Sequence, residues 1–126
     1  MDTHDVALLS AGLVGGLVAV VHGVLTQRLI VRPVQALPAG QLSRTIRRLT
    51  AALLQFSTFN WLVGGLALAA AAFAPDRDVK LAVGILVGSS YLFGAIGNLW
   101  ATRARHPGWV LYGIATLAIG YGLAGA

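Results

Sequence analysis

The feature that most constrains this chain is the near absence of charge from four long apolar stretches. These are residues 6–26, 49–74, 79–101 and 107–125, and apart from Lys80 at the edge of the third they contain no Asp, Glu, Lys or Arg. About 20 apolar residues suffice for a helix to cross the ~30 Å hydrocarbon core of a bilayer. Only 10% of the residues are charged, against roughly 25% in soluble domains. The sequence therefore predicts an all-α membrane protein, with residues 1–126 forming one bundle of four transmembrane helices.

The position of the basic residues predicts the orientation. Seven of the nine Lys and Arg residues lie between the first and second stretches or between the third and fourth. Short basic loops stay on the cytoplasmic side of a membrane, so both termini are expected to face outward. Because the basic residues lie in loops beside membrane spans, membrane lipid is the expected partner for the net charge of +5. No nucleic-acid partner is expected.

The first loop is the longest connection, and it has two open interpretations. Pro33, Pro38 and Gly40 are expected to stop the first helix from continuing. The segment after Gly40 is predicted to form an amphipathic start to the second helix, in which the side chains of Ile46 and Leu49 face lipid. Its basic side chains serve either as a topology anchor or as a site for lipid headgroups. These side chains are Arg44, Arg47 and Arg48.

Polar residues within the spans predict a buried polar layer. Three spans carry such a residue at a similar depth on the cytoplasmic side, as judged from ~1.5 Å of rise per residue. In hydrocarbon each polar group needs a partner. The residues of this layer are His22, Gln55, Thr58 and Asn98. None of them is a carboxylate, whereas small multidrug exporters of this size depend on an embedded glutamate, so proton-coupled export is not expected.

Glycine pairs at a spacing of four predict which helices pack closely. Gly12 and Gly16 lie on the first span, and Gly84 and Gly88 lie on the third. A G-x-x-x-G pair lets two helix backbones approach each other. The first and third spans are therefore expected to be the tightly packed pair, with His22 and Asn98 near their contact.

The second span carries polar residues on two faces. Gln55 and Thr58 share one face, and nearly opposite lies a second set, which is Ser57, Asn60 and Gly64. One bundle core is not expected to satisfy both amides, and an unpaired amide in hydrocarbon is costly. The second set is therefore a candidate surface for a partner, and the sequence predicts a homo-oligomer or a subunit of a larger membrane complex.

His22 is the one histidine within a span. The chain has no cysteine, and two histidines without a carboxylate or thiolate nearby make a poor zinc set. Neither a metal nor a cofactor is predicted, and His22 is interpreted as a hydrogen-bonded packing residue. A b-type haem on His22 is the alternative.

Two short resemblances accompany these patterns. Phe56-Ser57-Thr58-Phe59 resembles a motif of the Fluc fluoride channels, which are also small, glycine-rich four-helix proteins. The likeness covers four residues, and in that family the motif lies on the third span instead of the second. Residues 21–22, 29–33 and 106–109, the last of these reading His-Pro-Gly-Trp, are similar to a group of small bacterial four-helix membrane proteins without assigned activity. That likeness implies the bacterial inner (cytoplasmic) membrane.

Three functions remain open from the sequence. The first is a small, non-catalytic membrane subunit that acts by helix packing with itself or with a larger complex. The second is a homo-oligomeric channel or carrier for a small solute, which would use the polar layer. The third is a haem- or quinone-binding redox protein centred on His22. Fold alone does not separate these three, because function depends on the chemistry of a site.

Overall fold

The computed structural model describes residues 1–38 and 40–125, and within these ranges every regular element is a helix. Helix α1 spans Thr3–Ala36, α2 spans Arg44–Ala71, α3 spans Arg77–Thr102 and α4 spans Gly108–Ala124. The first three are long and apolar enough to cross a membrane, whereas α4 is apolar but has 17 residues. The prediction of an all-helical chain with four helices is confirmed.

Helices α1, α2 and α3 each begin where the N-cap side chain accepts from a free backbone N–H group of the first turn. Asp2 and Asp5 form a reciprocal capping box at the start of α1. Ser43 accepts from the N–H of Ile46 at the start of α2, and Asp76 accepts from a backbone N–H at the start of α3. These caps fix the helix starts locally, before any tertiary contact is made.

The expectation that Pro33 ends the first helix is wrong. Helix α1 runs on to Ala36, ten residues beyond the predicted span, and includes a π-helical turn at Gln27–Val31. In this turn the N–H of Arg32 donates to the carbonyl of Gln27, five residues back. A proline ring normally collides with the carbonyl four residues earlier. The wider turn shifts the carbonyl groups by one position, so Pro33 fits without breaking the helix.

The four helices form a ring in chain order. Helix α1 packs on α2 and α4, and α3 also packs on α2 and α4, so α1 and α3 lie diagonally opposite each other. The expected close pairing of the first and third spans is therefore wrong. Short connections favour antiparallel packing of helices that follow each other in the chain, and that preference outweighs the match between glycine patterns.

The glycines of the two predicted pairs lie at contacts between neighbours in this ring. A Cβ built on Gly12 would lie 2.5 Å from the carbonyl oxygen of Gly65, so α1 and α2 touch through their backbones here. Gly16 lies at the same crossing. On α3, Gly84 and Gly88 contact α4 instead of α1, through Leu123 and Ile119. Glycine at position 12 allows a backbone approach that a side chain would prevent, whereas a Cβ on Gly16 or Gly88 would meet side chains at 3.4 Å or more.

Candidate ligand-binding cavity

An aromatic cluster fills the centre of the bundle, and each helix contributes one ring. His22 of α1 packs edge-on against Trp61 of α2, with 4.9 Å between ring centroids. Trp61 packs on Tyr112 of α4 at 4.7 Å, and Tyr112 packs on Tyr91 of α3 at 5.0 Å. Such tilted and edge-on pairs are favourable geometries for aromatic side chains. The cluster therefore links all four helices in one packed core.

Hydrogen bonds attach the cluster to α2 and α3. The Tyr91 hydroxyl donates to the carbonyl of Trp61 at 3.1 Å, and the Trp61 indole N–H donates to Ser90 Oγ at 3.1 Å. Tyr91 reaches across the diagonal of the ring, because Gly15 of α1 leaves space for its phenol ring. A side chain at Gly15 would occupy the volume of that ring.

A cavity of about 280 Å³ lies beside the cluster, between α1 and α4. Its walls are mostly apolar, and the connection from α3 to α4 closes one end. Four polar residues also line it, from α1, α3, the connection and α4. They are His22, Asn98, His106 and Tyr112. Predominantly apolar walls with a few convergent polar groups are typical of small-molecule sites.

The hydrogen bonds of these polar residues leave specific atoms free. Asn98 donates from Nδ2 to the carbonyl of Gly94 at 2.9 Å, which leaves Oδ1 as an acceptor. The backbone N–H of Gly108 donates to His106 Nδ1 at 3.1 Å. Neutral His106 must therefore carry its proton on Nε2, which becomes a donor. His22 Nε2 is occupied by Thr26 Oγ1 at 3.2 Å.

One donor at this site has no partner within the described residues. The Tyr112 hydroxyl is buried without a hydrogen bond, and the residue is 1% exposed. Two other buried atoms share this condition, namely Thr58 Oγ1 and Trp109 Nε1. A buried unpaired hydroxyl is unfavourable, and this one has less than 1 Å² of accessible surface, so it is enclosed by protein and does not open into the cavity.

The structure divides the predicted polar layer between two places. His22 and Asn98 line the cavity described above, whereas Gln55 and Thr58 line a shallow groove on another face of α1. Gln55 donates to the carbonyl of Gly23 at 3.3 Å and to Gln27 Oε1 at 3.1 Å. Among the described residues no hydrogen bond joins the two pairs. The four residues therefore do not form one connected layer within a chain.

The NH2 group of each amide on α2 has a hydrogen-bond partner inside the chain. Asn60 donates to Ser90 Oγ at 3.1 Å, on the α3 side, while Gln55 bonds to α1. Ser57 donates to the carbonyl of Leu54 in its own helix, and Gly64 contacts α3. The expectation that one bundle cannot satisfy both amides is wrong, because α2 has a neighbouring helix on each side. Association with a partner remains a prediction, but it no longer follows from unpaired amides.

Of the three arginines predicted to contact lipid headgroups, Arg47 instead binds backbone carbonyl groups of its own chain. Its guanidinium donates to the carbonyls of Gln35, Pro38 and Leu42 at distances from 2.9 to 3.1 Å. It therefore holds the connection between α1 and α2 against the start of α2. Arg44 and Arg48 are exposed.

No group of three His, Cys, Asp or Glu residues able to hold a metal ion occurs in the part of the chain that the structure describes. Trp61 and Tyr112, which complete the aromatic cluster, were missed as site residues from the sequence. One signal could have found them. Trp and Tyr in membrane proteins concentrate at the two interfaces, so a Trp or Tyr within a span indicates a packed internal position.

The fold and the cavity define a class: a small, all-helical four-helix bundle with three helices long and apolar enough to cross a membrane, and a cavity beside its aromatic core. Comparison of the chain with protein-family models, curated proteins and solved structures found no match.

Proposed function

We propose that the protein is a non-catalytic subunit of the bacterial cytoplasmic membrane that acts by packing its helices against another chain. The partner is a second copy or a larger membrane complex. Both termini face outward in this proposal, because the basic connections α1–α2 and α3–α4 stay in the cytoplasm. The outer surface supports insertion, since large apolar side chains are exposed on all four helices.

The proposal rests on two glycines of α4 that have open space beside them. A Cβ built on Gly113 or Gly120 would meet no atom of the described residues within 4 Å. They are seven residues apart and share one face of the helix. Glycine inside a helix costs about 1 kcal/mol relative to alanine, and no contact within the chain uses these two. These two gaps, which lie on either side of the exposed Leu117, form the α4 groove, where the backbone of another helix can approach.

The test fills this groove without disturbing the bundle. Gly113→Leu combined with Gly120→Leu adds side chains where the single chain has space, so the bundle should remain folded. Association should weaken by about tenfold or more, because overpacking a helix contact costs about 1–3 kcal/mol. Crosslinking in native membranes, followed by native mass measurement in mild detergent, detects the loss and identifies the partner as self or other.

Ile114→Phe is the matched control, because it adds bulk to the same helix outside this groove at a side chain that is already exposed. It should leave association unchanged. An unchanged crosslinked fraction in the double leucine variant, with a folded bundle, would show that this face of α4 has no partner. A wild-type chain that is monomeric in native membranes would reject the proposal altogether.

A separate measurement tests the orientation. Reporter fusions placed at Gly40 and at the C-terminal residue Ala126 should report opposite sides of the membrane. The fusion at Gly40 is expected to be cytoplasmic and the fusion at Ala126 external. A cytoplasmic signal from Ala126 would contradict the orientation without bearing on the packing of α4.

A further inference from the structure

We infer that the cavity between α1 and α4 binds a small, neutral, lipid-soluble molecule whose ring-sized head group carries carbonyl acceptors, as benzoquinones do. This site lies within one chain, so it does not depend on the proposed association. Four observations support it: the volume of the cavity, its free donor, its uncharged walls and the position of its mouth.

The volume fits one substituted ring. A cavity of about 150 Å³ accommodates benzene in an engineered protein, and drug-sized ligands occupy roughly 300–1,000 Å³. The cavity here has about 280 Å³. It therefore suits a six-membered ring with small substituents and is too small to enclose a tetrapyrrole.

The donor selects an acceptor on the ligand. His106 lines the cavity, and its Nε2–H has no partner among the described residues, because its Nδ1 accepts from the Gly108 N–H. A carbonyl oxygen of the ligand can accept from this donor. Tyr112 contributes to the wall, but its hydroxyl has less than 1 Å² of accessible surface and is enclosed by protein.

The walls and the mouth indicate where the ligand comes from. Leu17, Val21 and Leu111 line the cavity and are 67%, 51% and 42% exposed. The cavity thus opens sideways through an apolar surface, which is where bilayer hydrocarbon would lie. No Asp, Glu, Lys or Arg is among the lining residues. A neutral molecule dissolved in the membrane can enter by this route, whereas an ion would lose its hydration without compensation.

The experiment uses the full chain in lipid nanodiscs and decylubiquinone as the probe. Trp100 is 83% exposed and would respond to quinone dissolved in the lipid, so all proteins carry Trp100→Phe. The remaining indoles belong to Trp61, which contacts two cavity residues, and to Trp109, which follows Gly108. Saturable quenching of their fluorescence is the expected signal of binding.

Three variants distinguish a built site from partitioning into lipid. His106→Phe keeps a ring and removes the donor, and it should weaken binding by about tenfold. Val21→Phe narrows the mouth at an exposed position and should also weaken binding, without altering the packed core. Tyr121→Phe is the control, because it removes an exposed hydroxyl from α4 far from the cavity. It should bind like the parent protein.

A competitor tests the chemical class. Decylbenzene has the same tail and a similar ring but no acceptor, so it should displace decylubiquinone only at concentrations at least tenfold higher than a quinone competitor needs. Equal displacement would show a plain apolar cavity and overturn the proposed chemistry. Quenching that does not saturate, or that is identical in His106→Phe, Val21→Phe and Tyr121→Phe, would show partitioning into lipid alone and overturn the site.

Discussion

Replacing Gly65 with alanine tests the backbone contact between α1 and α2. A Cβ on Gly65 would lie 2.6 Å from the carbonyl oxygen of Gly12 and 2.8 Å from the backbone N of Gly16, whereas ordinary contact begins at 3.4 Å. The two helices would therefore have to separate by about 0.8 Å at this point. Because both obstructing atoms are backbone, no rotamer change can relieve the clash.

The magnitude follows from a comparison with Gly97→Ala, because a Cβ on Gly97 of α3 would meet no described atom within 4 Å and this residue lies outside the proposed association surface. Both substitutions gain about 0.5–1 kcal/mol of helix stability, because alanine replaces glycine inside a helix. Only Gly65→Ala also forces two packed helices apart, and overpacking of this kind costs about 1–3 kcal/mol. The propensity gain is common to both variants, so their difference in unfolding free energy isolates the steric cost. We expect Gly65→Ala to be less stable than Gly97→Ala by about 1–3 kcal/mol.

The assay is equilibrium unfolding in mixed micelles with increasing SDS, monitored by the fluorescence of the buried Trp61. All proteins carry Trp100→Phe and Trp109→Phe, so that Trp61 is the one remaining tryptophan. The two variants and the parent protein are measured under identical lipid and detergent conditions. Gly97→Ala should be at least as stable as the parent. Equal stability of the two variants would refute the reasoning, because it would mean that α1 and α2 do not cross at Gly65.

Three further predictions address the core, one connection and one end of the bundle. Tyr91→Phe should lower the free energy of unfolding by about 0.5–1.5 kcal/mol, because the Tyr91 hydroxyl has a backbone acceptor. Tyr112→Phe removes an unpartnered hydroxyl, so without ligand it should leave the free energy of unfolding unchanged or raise it. The same SDS titration compares the two variants. Arg47→Ala should release the α1–α2 connection from the carbonyls that this guanidinium binds, and limited proteolysis should then cleave there at least several times faster, with an unchanged rate arguing against the clamp. Asp5 and Lys80 form an ion pair between α1 and α3, so a double-mutant cycle with alanine should give a favourable coupling at low salt that falls as salt is added; zero coupling at low salt would contradict the contact.

The two binding surfaces inferred for this protein occupy different parts of α4. Tyr112 faces the core and the cavity, whereas Gly113 and Gly120 face away from every described residue. A change on one face can therefore be made without altering the other. This separation allows ligand binding and association to be tested in the same purified protein, and the failure of one would not be mistaken for the failure of the other.

The sequence by itself determined the number and approximate position of the helices. Length, apolar character and the exclusion of charge are properties of a local stretch of chain, and any fold must respect them because buried charge and unpaired backbone groups are costly. The helix starts at Asp2, Ser43 and Asp76 are local for the same reason, since each cap bonds within its own first turn.

The tertiary structure decided which helices are neighbours and which polar groups meet. Gly12 and Gly84 indicated close helix contacts, but a glycine in the sequence does not indicate which helix makes the contact. The partners of Gln55 and Asn60 depended on α2 having a neighbour on each side, which no pattern within α2 reveals. The cavity beside Tyr112 likewise exists only where residues far apart in the chain leave space between them, because packing depends on the shapes of all the surrounding side chains together.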